Sequence, residues 1–411
     1  MGAGLSGVAM ARALAARGIP FDCFERRREV GGVCASPAPP RLDVSKERLQ
    51  FSDWPMPATY PRLPSGRHLA AYLRDYCGRF ELGPRIQLGT EVRWAGRRPE
   101  VGWELELDSG ERRAYSTLLI AAGRRGGSHS RAVPGGFAGE QREGWPPSRR
   151  EELAGRDVVI AGGGAEACEL ATEASYAARS TVLAVRRPRF LLPQIALGRP
   201  LDAVPGLDHL RGRALGRGRL SFSLPRRLRG RLLRSLHAAV SSPALHGLPA
   251  VPGAPTEAGA AAAPQLLERL LHGRVEIRPA IARLDGELVH FSDGSAARAE
   301  LIVWTGSRPR FPFLHLGPAD TADPLLSVFA APDLAFLGLV EPVAGSPTAV
   351  AELQAGWVAA GLAGDYALPS RRGGGPVRPA PRLRPVEQFE YARDVEREMR
   401  AGRRRARSRA A

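Results

Sequence analysis

The sequence predicts an α/β protein built from two dinucleotide-binding (Rossmann-like) domains, the second inserted in the first. Three observations predict it. Two glycine-rich turns, GAGLSG at Gly2 to Gly7 and GGGAEA at Gly162 to Ala167, each open a helix-patterned stretch. Each of those helices leads into a short apolar strand, and such βαβ units imply parallel sheets with helical crossovers. Finally, Trp103 to Gly123 (WELELDSGERRAYSTLLIAAG) and Glu287 to Gly306 (ELVHFSDGSAARAELIVWTG) repeat one pattern. Each has an alternating strand, a Ser-Gly or Asp-Gly turn, a polar return strand and an apolar strand ending in Gly, so one unit occurs twice.

In chain order, the first turn is followed by a helix over Val8 to Arg17 and a strand over Phe21 to Phe24. The second turn is preceded by the apolar strand Asp157 to Ala161 and followed by a helix over Cys168 to Ala178 and a strand over Thr181 to Val185. Residues 202–265 are irregular and rich in Pro, Arg and Ala. Within them Leu228, Leu232, Leu233, Leu236 and Val240 recur at helical spacing beside Arg227, Arg231 and Arg234, the pattern of a basic amphipathic helix. Ala258 to Pro264 reads as a flexible connector. The expected domains are 1–150 with 303–369, then 151–302, then a basic Pro/Arg-rich tail, 370–411. In that tail one short helix, Val386 to Met399, precedes a disordered end. A buried strand normally leads into a dinucleotide-binding turn. Only Met1 precedes Gly2, so a strand upstream of this sequence is expected.

Composition narrows the class of function. The 411 residues, at 44% hydrophobic and 25% charged, are ordinary for a globular protein, and no run approaches the ~18 apolar residues of a membrane span. The four cysteines form no CxxC pair, which gives neither a thiol redox centre nor zinc spacing; a reducing, cytoplasmic setting fits. The net charge is +17, yet it sits in two places: residues 211–234 carry +9 and residues 370–411 carry +8. The remainder is neutral, unlike a nucleic-acid groove in a folded body. No nucleic-acid partner is expected, and the basic segments allow at most weak peripheral contact with an anionic membrane. No GxSxG, HExxH or metal-ligand spacing appears, and no metal is expected.

The chemistry lies in the turns. In the first, Gly2 permits a tight bend, Gly4 lets the backbone approach a pyrophosphate at the helix N-terminus, and Gly7 allows close helix–strand packing. Seventeen residues lie between Gly7 and Glu25, which stands at a strand end where its carboxylate can accept from an adenosine ribose hydroxyl. That acid repels a 2′-phosphate, so this site suits FAD or NAD. In the second turn Gly162, Gly164 and Ala167 take the corresponding places. The strand after it ends in Val185, Arg186 and Arg187, and guanidinium groups there can pair with the 2′-phosphate of NADPH. Glu166 stands where the pyrophosphate approaches. A flavin site followed by a nicotinamide site is arranged for hydride transfer from one to the other.

These residues, with further blocks, resemble the flavin-containing monooxygenase family, related to Baeyer–Villiger and N-hydroxylating enzymes. GAGLSG with Glu25-Arg26 and Gly31-Gly32-Val33 is similar to its FAD-binding opening, and Ser45 to Pro61 (SKERLQFSDWPMPATYP) to its next block. Val185 to Arg187, Trp304 to Leu314, and Pro332 to Trp357 (PDLAFLGLVEPVAGSPTAVAELQAGW) are similar to its NADPH segment, its second Gly-ended strand and its last flavin-proximal helix. The resemblance implies FAD contacts from Ser6, Arg26, Gly32, Val33 and Ser45. It implies that NADPH reduces the flavin, that O2 adds to it, and that a hydroperoxyflavin delivers one oxygen to a soft nitrogen or sulfur, or to a carbonyl. An NADPH oxidase or reductase without oxygen transfer, or a non-catalytic FAD-binding protein, is the alternative. It also implies a place for Asp43 beside the flavin–oxygen adduct, where the family usually has Asn. Two further positions differ: Glu143 stands at a family His, and Ala165-Glu166 at a family Asn-Ser.

Overall fold

A computed structural model describes the chain apart from residues 38, 125–132, 145–149, 205–225, 241–246, 252–259, 307–310, 317–327, 343–345, 370–383, 387 and 411. Two compact units form. One comprises Met1–Gly127 with Arg308–Ala411, the other Ser128–Leu207 with Phe222–Ser307.

The first unit opens with helix α1, Leu5–Ala15, whose Val8, Ala9, Met10, Ala11 and Leu14 are buried. The strand Cys23–Glu25 follows and pairs in parallel with Ile86–Leu88. Between these strands lie the one-turn helix α2, Lys46–Leu49, and helix α3, Gly66–Arg79, the latter opened by a Ser65–His68 capping box. Strand Gly102–Leu107 pairs antiparallel with Arg112–Tyr115 around the positive-φ Gly110, and Leu118–Ile120 returns beside Leu334–Phe336 in parallel. This is the first copy of the repeat, as expected. Met1 and Gly2 bridge the two parallel pairs. The Met1 amino group donates to Leu119 O (2.8 Å), Ala121 N to Met1 O (2.9 Å), and Gly2 N to Phe24 O (2.8 Å).

The second unit holds a five-stranded sheet, all parallel, in the order Glu276–Arg278, Ser180–Ala184, Asp157–Ala161, Leu301–Trp304, Glu140–Glu143. Val158, Val159 and Ile160 at its centre are buried, the continuous apolar run of a strand covered on both faces. Helix α4, Ala165–Ala174, covers it and starts three residues earlier than the apolar spacing suggests, directly at the glycine turn. The second repeat copy pairs Leu288–Phe291 with Ala296–Arg298 around Gly294.

Two expectations are corrected here, and a third, the basic amphipathic helix, is borne out. The boundary at 150/151 moves upstream, because Gly135–Phe137 and Glu140–Glu143 join the second unit's sheets by pairing with Ile281–Gly286 and Leu301–Trp304. The basic segment does form helix α5, Arg226–Val240, and buries Leu233, but Leu228 and Leu232 on its apolar pattern stay exposed. The connector at 258–264 falls partly outside the described residues. Its Ala260–Ala262 is a strand parallel to Phe190–Leu192 and leads into helix α6, Pro264–Leu271.

In the first unit, helix α7, Pro347–Leu362, follows the strand Leu334–Phe336. It is nearly all small or apolar residues and packs on α1. Ser346 caps it by accepting from Ala349 N (2.9 Å), with Pro347 in the first turn. The tail is not disordered after residue 399: helix α8, Gln388–Ala410, runs on. It docks because Tyr391, Ala392 and Val395 recur on one face and are buried, Tyr391 and Val395 in the core around Trp357. The linker expected from Pro369 lies largely outside the described residues.

Candidate cofactor site

The first glycine turn is closed by backbone packing. A Cβ at Gly2 (φ +94°) would stand 2.5 Å from Ala121 O, and one at Gly7 would overlap Gly2 O. Gly4 is the α1 N-cap; no side chain caps that end and no acid lies in the first turn, which leaves the helix N-terminus open to an anion. Gly32 (φ +58°) sits across from it, with a Cβ there only 3.0 Å from Gly4 Cα. Gly31 N donates to Ala3 O (2.9 Å), so the loop carrying Gly32 and Val33 is tied to the turn. Glu25 is buried at the strand end. Its Oε2 accepts from Ala3 N (2.7 Å) and its Oε1 from Arg27 N (2.9 Å). A carboxylate can accept about four hydrogen bonds, so capacity for a ribose hydroxyl remains. Arg26 is exposed and lines an open depression of about 860 Å³ together with Arg27, Arg28, Arg67 and Arg74.

The SKE…FSDWP block is held in place by three helices. Arg12 of α1 donates to Asp53 (3.1 Å), and Tyr76 of α3 to the other oxygen of Asp53 (2.7 Å). Tyr72 of α3 accepts from Phe51 N (2.8 Å) and donates to Trp54 O (2.6 Å). From the start of α7, Ser346 donates to Arg48 O and Thr348 to Leu49 O (2.8 Å), while Glu352 accepts from Ser52 N (2.9 Å) and Ser52 Oγ (2.7 Å). Ser45, fully buried, caps α2 with its carbonyl, which accepts from Arg48 N (2.9 Å). Asp43 faces Arg41 at 3.5 Å. Burial pushes its carboxyl above the usual aspartate range, against the pull of Arg41.

At the second turn, a Cβ on Gly162 would overlap Thr305 Oγ1 and one on Gly163 would stand 2.5 Å from Arg187 O, so this turn is closed by the Thr305 side chain and the Arg187 backbone. Gly164 is the N-cap of α4, without a side-chain cap, and Ala167 is buried beneath the turn. Arg186 and Arg187 are both exposed, as a 2′-phosphate contact requires. Sequence reasoning missed Arg189, whose guanidinium lies over Gly164, with its Cζ 3.7 Å from where a Cβ would stand. The signal was present in the run of three arginines from 186 to 189. Two acids also stand close. Glu166 is in the first turn of α4, and its Oε1 would lie 3.6 Å from a Cβ on Gly144. Glu143, beside Gly144 and opposite Trp304, has both carboxylate oxygens buried without a hydrogen-bond partner.

Residues 1–373 match the Flavin-binding monooxygenase-like family, and the chain belongs to it. It is 24% identical to flavin-containing monooxygenase 5 of Homo sapiens over 413 residues, covering 90% of this chain and 74% of that protein. It is 26% identical to dimethylaniline monooxygenase [N-oxide-forming] 2 of Rattus norvegicus, with the same coverage. Among solved structures, cyclohexanone monooxygenase from Rhodococcus sp. Phi1 bound to NADP+ shares the fold with a TM-score of 0.66 at 16% identity, over 98% of this chain and 97% of that one. S-allyl-L-cysteine S-oxygenase from Allium sativum gives 0.59 at 19%, over 98% and 83%. The chain is therefore an oxidoreductase of the flavin monooxygenase class. No helix among the described residues is long and apolar enough to cross a membrane.

Proposed function

We propose that the first turn holds FAD, that the second holds NADPH, and that the protein uses them with O2 to oxygenate a small molecule at a soft nitrogen or sulfur, or at a carbonyl. The observation that carries this reading is the first turn itself. Gly2 and Gly7 leave no room for side chains, Gly32 is tight against Gly4, the α1 N-terminus is uncapped, and Glu25 is fixed at the strand end. That donor set fits an adenine dinucleotide without a 2′-phosphate. Bound there, the flavin supplies the two-electron and oxygen chemistry, and the nicotinamide supplies hydride.

The protein's own residues bind, orient and shield. Gly4 and the first α1 N–H groups would face the pyrophosphate, with Ser6 beside them; Glu25 would hold the ribose and Arg26 would flank it. Gly162 and Gly164 would cradle the second pyrophosphate, over buried Ala167, with Arg186 and Arg187 on the 2′-phosphate. The three-helix clamp fixes the Phe51 to Trp54 block in place. Asp43 would stand at the oxygen-reacting face, with Ser45 next to it.

A second reading, NADPH oxidation ending in hydrogen peroxide without transfer to a substrate, is favoured by Asp43. An amide donates and accepts, whereas an ionised carboxylate only accepts. The test is turnover with a panel of thioethers, tertiary amines and cyclic ketones under isotopically heavy O2. Heavy oxygen in one product class supports oxygenation and names the class. NADPH consumption matched by peroxide alone supports the second reading.

A further inference from the structure

We propose that the C-terminal helix α8 is a positioning element for the flavin site, acting through Tyr391 and Gln354 on the loop at Gly338. The proposal rests on the reading of the first glycine turn as a flavin site. Helix α8 lies beyond residue 373, where the family match ends.

The connection is continuous and buried. Gln354, fully buried in α7, donates from Nε2 to the Tyr391 hydroxyl (2.8 Å). Through Oε1 it accepts from Gly338 N (3.0 Å). Gly338 has φ +75°, and a Cβ there would overlap Ser6 Oγ in the first turn of α1. One residue earlier, Leu337 N donates to Ile120 O (2.8 Å), which anchors the loop to its strand. Tyr391 thus sets the rotamer of Gln354, Gln354 sets the height of Gly338, and Gly338 lies directly on the glycine turn. Burial pushes the Tyr391 phenol up, so the hydroxyl stays neutral at any working pH.

Helix α8 is fixed firmly enough to do this. Val395 is fully buried. Gly402 packs where a Cβ would overlap the Tyr366 ring, and Ala367 N donates to Gly402 O (3.1 Å). The Tyr366 hydroxyl donates to Glu398 (2.9 Å), and Arg405 pairs with Glu398 while donating to Ala367 O (2.9 Å). The helix is therefore anchored at both ends of its packed face, and Tyr391 is held at a defined distance from Gln354.

The experiment compares Tyr391→Phe, Gln354→Leu and the double variant in the full chain. Flavin affinity is read by fluorescence quenching on FAD addition, flavin environment by visible circular dichroism, and folding by the melting temperature of the flavin-free protein. Tyr391→Phe should melt near the wild type, bind FAD roughly tenfold more weakly, a change of ~1.4 kcal/mol, and alter the visible dichroism. The double variant should be no worse than Gln354→Leu alone, since both act on one connection. Wild-type affinity and dichroism in Tyr391→Phe, or additive losses in the double variant, would overturn the inference. Should Tyr391→Phe fail to fold, Gln354→Leu with wild-type flavin properties overturns it equally. Failure of the wild type to bind FAD would strike the flavin reading itself, and this inference with it.

Discussion

The carbonyl oxygen of Gly2 occupies the space in which a side chain on Gly7 would begin. The two residues lie on either side of the turn that opens α1, and their contact sets how closely the helix approaches the strand ends. Gly7→Ala must push the helix start away from Gly2, or break the Gly2 N to Phe24 O bond. Overpacking of this kind costs ~1–3 kcal/mol. The variant should purify with little bound flavin and a lower melting temperature; normal flavin content would show that the turn tolerates expansion.

Cofactor choice should reside in Arg186 and Arg187. Each charge-assisted hydrogen bond to a 2′-phosphate is worth ~1.5–3 kcal/mol. Replacing both with Ala should weaken NADPH by about a hundredfold or more, at ~1.4 kcal/mol per tenfold, while NADH changes little. Titration with both nucleotides checks it. Equal losses would move the 2′-phosphate elsewhere, with Arg189, whose guanidinium lies over Gly164, the next candidate.

Glu166 stands in the first turn of α4, where the pyrophosphate of the proposed NADPH would approach. Like charge at a helix N-terminus opposes the anion the dipole favours. Glu166→Ser should therefore tighten NADP+ several-fold. Calorimetric titration of the oxidised protein decides the matter, and unchanged affinity would mean that the carboxylate points away from the ligand.

Asp43 carries a pH signature. Burial raises its folded pKa, with Arg41 opposing. Folding thus favours the protonated form: the stabilising contribution is complete below the unfolded value of ~3.9 and is lost as pH rises through the raised folded value. Asp43→Asn should raise the melting temperature at neutral pH, with the advantage shrinking towards pH 4. The same variant should shift NADPH consumption from peroxide towards product. A peroxide-to-product ratio unchanged by the substitution would remove Asp43 from the oxygen-reacting face.

Much of the fold was legible because its signals are local. Asp157–Ala161 is a continuous apolar run before a glycine turn, and the repeated hairpins announce themselves by Ser-Gly and Asp-Gly. Glu25 was legible by spacing alone. What was not legible depends on distant partners. The order of Glu140–Glu143 in the second unit's sheet follows from pairing with Leu301–Trp304, 161 residues away by the Leu301–Glu140 register. Helix α8 looks like a charged tail because its apolar residues are few. Tyr391 and Val395 suffice to dock it only because Gln354 and the core around Trp357 receive them. Arg189 was overlooked for a similar reason, since Pro188 separates it from the strand and only the folded turn brings it over Gly164.

The most direct measurement is the absorption spectrum of the purified chain before and after NADPH in the absence of oxygen. Bound FAD should give the two visible flavin bands, which should bleach with NADPH far faster than with NADH and return when air is admitted. A colourless protein that takes up no FAD when it is supplied would contradict the assignment of the first glycine turn and everything built on it.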